Sequence, residues 1–184
     1  VEIIPEVIDV LPHFEKVNGV LRNNRHLRII NSDARRYVCA CPAKTYDVVI
    51  ADLFHPARDG TGLLYSIEHF DAIRRLLADD GIFCQWLPLY QLDAPTLQLI
   101  IRSFLRVFPH ASAFIGTYSI DMPILDLVGS QKTMLYPVDW IQMRTSNSDT
   151  LQHALSAVRL GSFFELFGCY AAGAEDLSRY AGCG

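Results

Sequence analysis

Short apolar runs alternate with stretches of helical periodicity along this chain, and this alternation limits the fold more than any other feature. Residues 46–52 (YDVVIAD) are nearly all apolar or β-branched, as expected for a central strand covered on both faces. Residues 81–87 (GIFCQWL) form a second such run, and residues 27–30 predict a third strand that ends at Asn31. The pattern predicts an α/β protein with a parallel sheet.

Two helices are predicted from capping residues and from apolar periodicity. Ser66 can cap the first helix, whose Phe70, Ile73 and Leu77 share one face. Asp93 can cap the second helix, and Pro95 suits its first turn. Apolar residues recur along this second helix at the spacing of one face: Leu97, Ile100, Ile101, Phe104, Leu105 and Phe108.

The character of the chain changes after residue 130. Residues 113–118 and 124–128 predict two strands that pair antiparallel at one edge of the sheet. Residues 150–160 and 163–184 have helical character, and glycines interrupt the second of these segments. We therefore predict an α/β domain over residues 1–130 and a helical extension over residues 131–184.

Composition excludes several classes of protein. Apolar residues make up 51% of the chain and charged residues 20%, which excludes a disordered chain. The net charge of −4 lacks the basic excess of a nucleic-acid-binding domain. Arg102 and Arg106 interrupt the richest apolar stretch, so no membrane contact is expected from this chain. A cytoplasmic protein is expected, whose parent could be attached to a membrane.

The cysteines predict neither a zinc site nor a disulfide framework. Their number is odd, and no two pairs have the spacing of zinc ligands. We expect reduced thiols and no metal. The five are Cys39, Cys41, Cys84, Cys169 and Cys183.

Three acids follow predicted strands, where ligands bind in open α/β sheets. They are Glu2, Asp33 and Asp52. A carboxylate in such a place can accept hydrogen bonds from both hydroxyls of a ribose. An acid at the end of a strand can equally cap the helix that follows. The three together favour a nucleotide site at one edge of the sheet.

Four segments resemble the spermidine/spermine synthase family, in particular its bacterial spermidine-synthase-like branch. They are VEIIPEVIDV, RIINSDARRYV, YDVVIADLFHPARDGTGLLYSIEHF and DGIFCQWLPLYQL. The resemblance covers about residues 1–130. It implies a Rossmann-like fold of the S-adenosylmethionine-dependent methyltransferase type. It also implies transfer of an aminopropyl group from decarboxylated S-adenosylmethionine to an amine.

Matching positions imply roles for individual residues. Glu2 matches the acid that binds ribose, and Asp33 with Ala34 matches the pair that contacts adenine, with alanine in place of glycine. Asp52 matches the catalytic aspartate of the family's D-x-x-D-P motif, which holds and deprotonates the attacking amine. Gln85 and Tyr65 are further candidates for contact with the substrate.

The motif departs from the family at its second acid. The sequence reads Asp52-Leu53-Phe54-His55-Pro56, so an imidazole stands where the family holds a cationic polyamine with a carboxylate. An imidazole holds a diammonium poorly. His55 is therefore either a substrate contact of altered specificity or a turn residue before Pro56, and putrescine is not the expected acceptor.

The family's first strand and glycine-rich loop precede the residue that Glu2 matches, so the resemblance implies a chain truncated at its N-terminus. With the family's strand order, 3-2-1-4-5-7-6, the missing strand is the central one. We expect exposed strand edges or direct pairing of the flanking strands. We also expect the 184 residues to bind nucleoside weakly or not at all, and micromolar binding of 5′-methylthioadenosine would refute this expectation.

Two alternatives to the aminopropyltransferase stay open. One is a non-catalytic or nucleoside-sensing member of the same fold, which Ala34 and His55 favour. The other is an S-adenosylmethionine-dependent methyltransferase. The expected partners are a small-molecule amine and not a nucleic acid, and the sequence leaves a homodimer open.

Overall fold

The computed structural model describes residues 1–18, 24–52, 60–117, 119 and 121–182. The chain forms two compact units, Val1–Pro42 and Ala43–Gly184.

The described residues of the first unit form three short helices and one β-bridge. Its elements are α1 (Pro5–Asp9), a 3-10 turn (Leu11–Phe14), α2 (Glu15–Asn18) and α3 (Ala34–Ala40).

The strand predicted over residues 27–30 is wrong in extent. In the described part of the chain, a single parallel bridge joins Glu2 to Asn31, and the Glu2 amide donates to the Ile30 carbonyl at 2.9 Å. Both segments enter helices soon after this bridge, because Pro5 occupies the first position of α1 and Asp33 caps α3. The pairing therefore does not continue beyond Glu2 and Asn31 as a ladder.

The second unit holds a five-stranded sheet. Its strands are β1 (Tyr46–Ala51), β2 (Leu77–Pro88), β3 (Ser112–Thr117), β4 (Ile124–Ser130) and β5 (Tyr170–Gly173). Its α-helices are α4 (Ile67–Leu76), α5 (Ala94–Val107), α6 (Val138–Ser146), α7 (Asp149–Ala157), α8 (Phe163–Phe167) and α9 (Ala174–Ala181). Two 3-10 turns lie at Thr61–Tyr65 and Leu89–Gln91.

The strand order is β1-β2-β4-β3-β5. Among the described strand pairs, β1 and β2 form the predicted parallel pair, whereas β2 and β4 are antiparallel, so the sheet is mixed and not parallel throughout. β3 and β4 form the predicted antiparallel pair. The first four strands reproduce the last four positions of the order implied by the resemblance, 4-5-7-6. β5 pairs with β3, so the antiparallel pair lies inside the sheet and not at its edge.

β1 is an edge strand within the described part of the chain, so the predicted coverage on both faces is wrong. Its pairing partner there is β2, and its Val48 and Ile50 side chains are 51% and 62% exposed. The strand itself still forms as predicted, because the parallel ladder with β2 aligns Val48 with Ile82 through Ala51 with Gln85.

Aromatic side chains build the core between the sheet and helices α4 and α5. The rings of Phe70 (α4), Phe83 (β2) and Phe104 (α5) are fully buried, with centroids 5.3–5.9 Å apart. Both helices begin as predicted: Ser66 accepts from the His69 amide, and Asp93 accepts from the Thr96 amide. This packing fixes one face of β2 against the helices.

The C-terminal segment is helical as predicted, with one added strand. α9 follows β5 directly and packs along α5, where Gln98 donates to the Tyr180 carbonyl at 3.0 Å and Arg102 donates to the Ala181 carbonyl at 2.8 Å. These bonds cap the last turn of α9 with side chains of α5. No helix in the described ranges is long and apolar enough to cross a membrane.

Candidate active site

Asp52 directly follows the carboxyl end of β1 and is exposed. The preceding residue, Ala51, pairs with Gln85 of β2, so Asp52 stands at the end of a parallel ladder. This is the place where open α/β sheets bind ligands. His55 lies outside the described residues, which resume at Gly60 with a φ of +81° before the 3-10 turn that leads to Ser66.

Gln85 is fully buried beside the end of β1. Its side-chain amide donates to the Trp86 carbonyl at 3.1 Å, while its carbonyl oxygen Oε1 is buried and has no hydrogen-bond partner in the described residues. An unpaired buried acceptor destabilises a fold by about 1–3 kcal/mol. Contact between Gln85 and a substrate stays a prediction.

Tyr65 ends the 3-10 turn that precedes α4, and its side chain is 5% exposed. This burial makes it part of the packing around the start of α4. Contact between Tyr65 and a substrate stays a prediction.

Asp33 caps helix α3. Its Oδ1 accepts from the amides of Arg35 and Arg36 at 2.8 and 3.3 Å, and its Oδ2 pairs with the Arg35 guanidinium at 3.1 Å. The hydrogen bond from that guanidinium is the main cause that lowers the pKa of Asp33. Ala34 is the first residue of α3. The geometry is thus that of the capping alternative, and a contact with adenine stays a prediction.

The backbone of Glu2 forms the β-bridge to Asn31. Its carbonyl accepts from the Ser32 amide at 3.0 Å and from the Asn31 side chain at 2.9 Å. Its carboxylate oxygen Oε1 accepts from the Ile4 amide at 2.8 Å, and Oε2 has no hydrogen bond within the described ranges. The structure therefore brings Glu2 close to the start of the Asp33 turn within the first unit, and Asp52 close to Gln85 within the second. A common site for all three acids stays a prediction.

Asp126 of β4 is a chemically unusual residue that the sequence analysis did not single out. It pairs with Trp86 of β2 on one side and with Phe114 of β3 on the other. Burial raises its pKa to about 6. The signal in the sequence was an acid inside an apolar strand, ILDLV. Ala51 pairs with Gln85, so Asp52 is level with Trp86 on the next strand, and Trp86 in turn pairs with Asp126. Asp126 is therefore two strands away from Asp52, and the backbones of the two residues are roughly 10 Å apart.

Burial also determines the protonation state of the Cys84 thiol, which lies on the strand next to Asp126. It raises the pKa of Cys84 to about 11, and the charge of Asp126 adds to this increase. The Cys84 thiol is therefore protonated at neutral pH and is not an activated nucleophile. The described cysteines form no disulfide: they are Cys39, Cys41, Cys84 and Cys169.

Comparison with protein families and curated proteins identifies relatives of this chain. The family model described as spermine/spermidine synthase domain matches residues 1–126. A polyamine aminopropyltransferase of Korarchaeum cryptofilum is 30% identical over 123 residues, which are 65% of this chain and 38% of the relative. This chain thus spans less than two fifths of that relative's length.

Solved structures show the same fold. The spermidine synthase of Thermotoga maritima superposes with a TM-score of 0.71 at 19% identity, covering 100% of this chain and 59% of that one. A spermidine synthase in complex with the transition-state analogue AdoDATO superposes with a TM-score of 0.74 at 19% identity, covering 100% of this chain and 60% of that one. These matches confirm the predicted Rossmann-like α/β fold.

Proposed function

Because the chain belongs to the spermine/spermidine synthase domain family, we propose that it carries the amine-activating part of an aminopropyltransferase. The reaction moves an aminopropyl group from decarboxylated S-adenosylmethionine to the nitrogen of a small amine, as in polyamine biosynthesis. Asp52, at the carboxyl end of β1 and inside the matched region, is the observation on which the proposal rests.

Asp52 is proposed as the group that accepts a proton from the amine. An aliphatic amine has a pKa near 10.4 and is protonated at neutral pH, so its lone pair is not available for attack. The co-substrate would supply a carbon made electrophilic by its sulfonium sulfur. The Asp52 carboxylate takes the proton from the amine nitrogen and keeps that nitrogen in place, and both effects lower the barrier of a displacement at carbon.

Gln85 is proposed to support the end of β1 next to Asp52. Its buried Oε1 is an acceptor without a partner in the described chain, one strand away from the residue before Asp52. Buried polar groups are nearly always hydrogen-bonded, and a functional role is one physical reason for an exception. Tyr65 and His55 are proposed as further contacts of the amine, with the His55 imidazole in the place of the family's second acid.

The nucleoside part of the co-substrate is proposed to bind Glu2, Asp33 and Ala34. Glu2 fits this role because its Oε2 can accept from a ribose hydroxyl while Oε1 holds the Ile4 amide. Asp33 fits less directly, because both of its oxygens are engaged by Arg35 and by the amides of α3. An adenine contact at Asp33 requires the Arg35 guanidinium to release Oδ2.

The proposal is tested by a transfer assay on the full product of the gene. Decarboxylated S-adenosylmethionine is supplied with a panel of primary amines, and 5′-methylthioadenosine release is measured. We expect Asp52→Asn to lower kcat by about a hundredfold or more, as for loss of a general base. Nucleoside affinity, measured by calorimetry with 5′-methylthioadenosine, should stay within about twofold, because an isosteric amide preserves the shape of the site.

Asp47→Asn is the matched control, since Asp47 is an exposed acid on the same strand. It should leave kcat unchanged. Transfer that survives Asp52→Asn would remove Asp52 from the mechanism. A protein that binds the nucleoside without transfer would be a sensor, and methyl transfer from S-adenosylmethionine would make it a methyltransferase. Either result would overturn the proposed function.

A further inference from the structure

A cavity of about 470 Å³ lies in the second unit against strands β3 and β4. Its volume is within the range of small-molecule sites, about 300–1,000 Å³. Aromatic side chains form much of its wall: Phe114 of β3, Tyr136, and Phe167 of α8. The Tyr136 ring meets each of the other two edge-on, with centroid distances of 6.0 and 6.2 Å. We call this space the Asp126 cavity.

Asp126 is the charged residue among the described side chains that line the cavity. Its Oδ1 is buried and has no hydrogen-bond partner in the described chain. Gly116, which also lines the cavity, lies close to this carboxyl group, because an added Cβ there would come within 2.5 and 2.6 Å of the two oxygens. The carboxyl group therefore borders the cavity and has backbone packed closely against it.

An ionised carboxylate in this place has no compensating cation among the described residues. Burial disfavours its charged form and raises the pKa of Asp126 to about 6. The group is therefore ionised at neutral pH although its surroundings do not solvate it well. A cation inside the cavity would compensate this charge, and the aromatic walls would also attract it.

We propose that the Asp126 cavity binds an organic ammonium ion whose nitrogen pairs with the Asp126 carboxylate and whose apolar body contacts Phe114, Tyr136 and Phe167. An aromatic or branched amine fits better than a linear diamine. The second ammonium of a diamine would meet apolar walls, because the other described lining residues carry no acid. This inference does not rest on the proposed function, since the cavity lies two strands away from Asp52 and needs no nucleoside.

Calorimetric titration of the 184-residue chain with 2-phenylethylamine at pH 7.5 tests the proposal. We expect a dissociation constant on the order of 0.1–1 mM, which is usual for a ligand of this size. The neutral analogue 2-phenylethanol and 1,4-diaminobutane should bind about tenfold more weakly or not detectably, and phenylacetate should not bind. These differences separate recognition of the charge from recognition of the apolar body.

Two substitutions locate the site. Asp126→Asn removes the charge and should weaken amine binding by about tenfold or more, whereas the affinity for 2-phenylethanol should not change. Val158 lines the cavity and is 62% exposed, so Val158→Trp should fill its entrance and weaken binding without altering charge. Asp121→Asn, at an exposed acid, is the control and should bind like the parent protein.

Circular dichroism and thermal unfolding check that each variant is folded. If Asp126→Asn is not folded, the Val158→Trp variant and the comparison of 2-phenylethylamine with 2-phenylethanol still test whether the Asp126 cavity binds an ammonium ion. Equal affinities for 2-phenylethylamine and 2-phenylethanol would overturn the proposal. Full retention of amine binding in either cavity variant would also overturn it.

Discussion

The half-buried carboxyl group of Asp126 predicts an unusual dependence of stability on pH. Its pKa is about 6 in the folded protein against 3.8 for the ordinary side chain. A raised pKa for an acid means that the folded state binds the proton more tightly than the unfolded state does. The contribution of Asp126 to stability is therefore most favourable below about pH 4, falls as pH rises from about 4 to 6, and stays lower above that window.

The magnitude follows from the difference between the two pKa values. A pKa raised from 3.8 to about 6 corresponds to about 3 kcal/mol at most. Because the residue is only partly buried, solvent screening reduces this value to about 1–2 kcal/mol. The Asp126→Asn variant has the same shape but cannot ionise. It should exceed the parent protein in free energy of unfolding by about 1–2 kcal/mol at pH 8.

Urea unfolding of both proteins at pH 4 and pH 8, followed by circular dichroism, measures this difference. The advantage of Asp126→Asn should shrink to a few tenths of a kcal/mol at pH 4, where both side chains are neutral. Asp121→Asn, at an exposed acid, should show no such change with pH. A variant that is less stable than the parent at pH 8, or equally shifted at both pH values, would refute the reasoning.

Two further predictions concern packing and capping. Asp33→Ala should lower the free energy of unfolding of the first unit by about 1 kcal/mol, because the helix loses the acceptor for two amides, whereas Asp33→Ser should restore most of the loss. Unfolding in urea measures both, and equal losses for alanine and serine would argue against the cap. Gly129→Ala should destabilise the second unit by about 1–3 kcal/mol, because the new Cβ would lie 2.6 Å from the Cβ of Phe108. A change in the thermal unfolding midpoint of less than about 1 °C would contradict this prediction, because it would show that the Phe108 side chain can move without loss of stability.

The parts of the fold with strong local signals were predictable. Helices α4 and α5 begin at Ser66 and Asp93 because a side-chain oxygen meets a free amide three residues later, and this depends on sequence spacing alone. β1 and β2 follow from apolar, β-branched runs that favour extended structure, although the burial predicted for β1 did not follow. The four segments that resemble the family lie within the matched residues 1–126, and each is recognisable because its pattern is local in sequence.

Other features depended on which segments met in space. β5 is a four-residue strand, YAAG, with little intrinsic preference for extended structure, and it forms because β3 offers it a pairing edge. Residues 27–30 have a stronger strand pattern, but they pair with no strand in the described chain, and the neighbouring Asn31 forms one bridge with Glu2. Local preference decides structure only where the neighbour that would complete it is present.

The chain by itself determined the family, the class of fold, the helix starts and the acid at the end of β1. Tertiary structure alone decided that Asp33 is held by Arg35 and that Asp126 lies unpaired beside a cavity. The physical reason is that a carboxylate's chemistry depends on its neighbours. Solvation, opposite charge and donors within about 3 Å set its protonation and its ligands, and these neighbours come from strands distant in sequence.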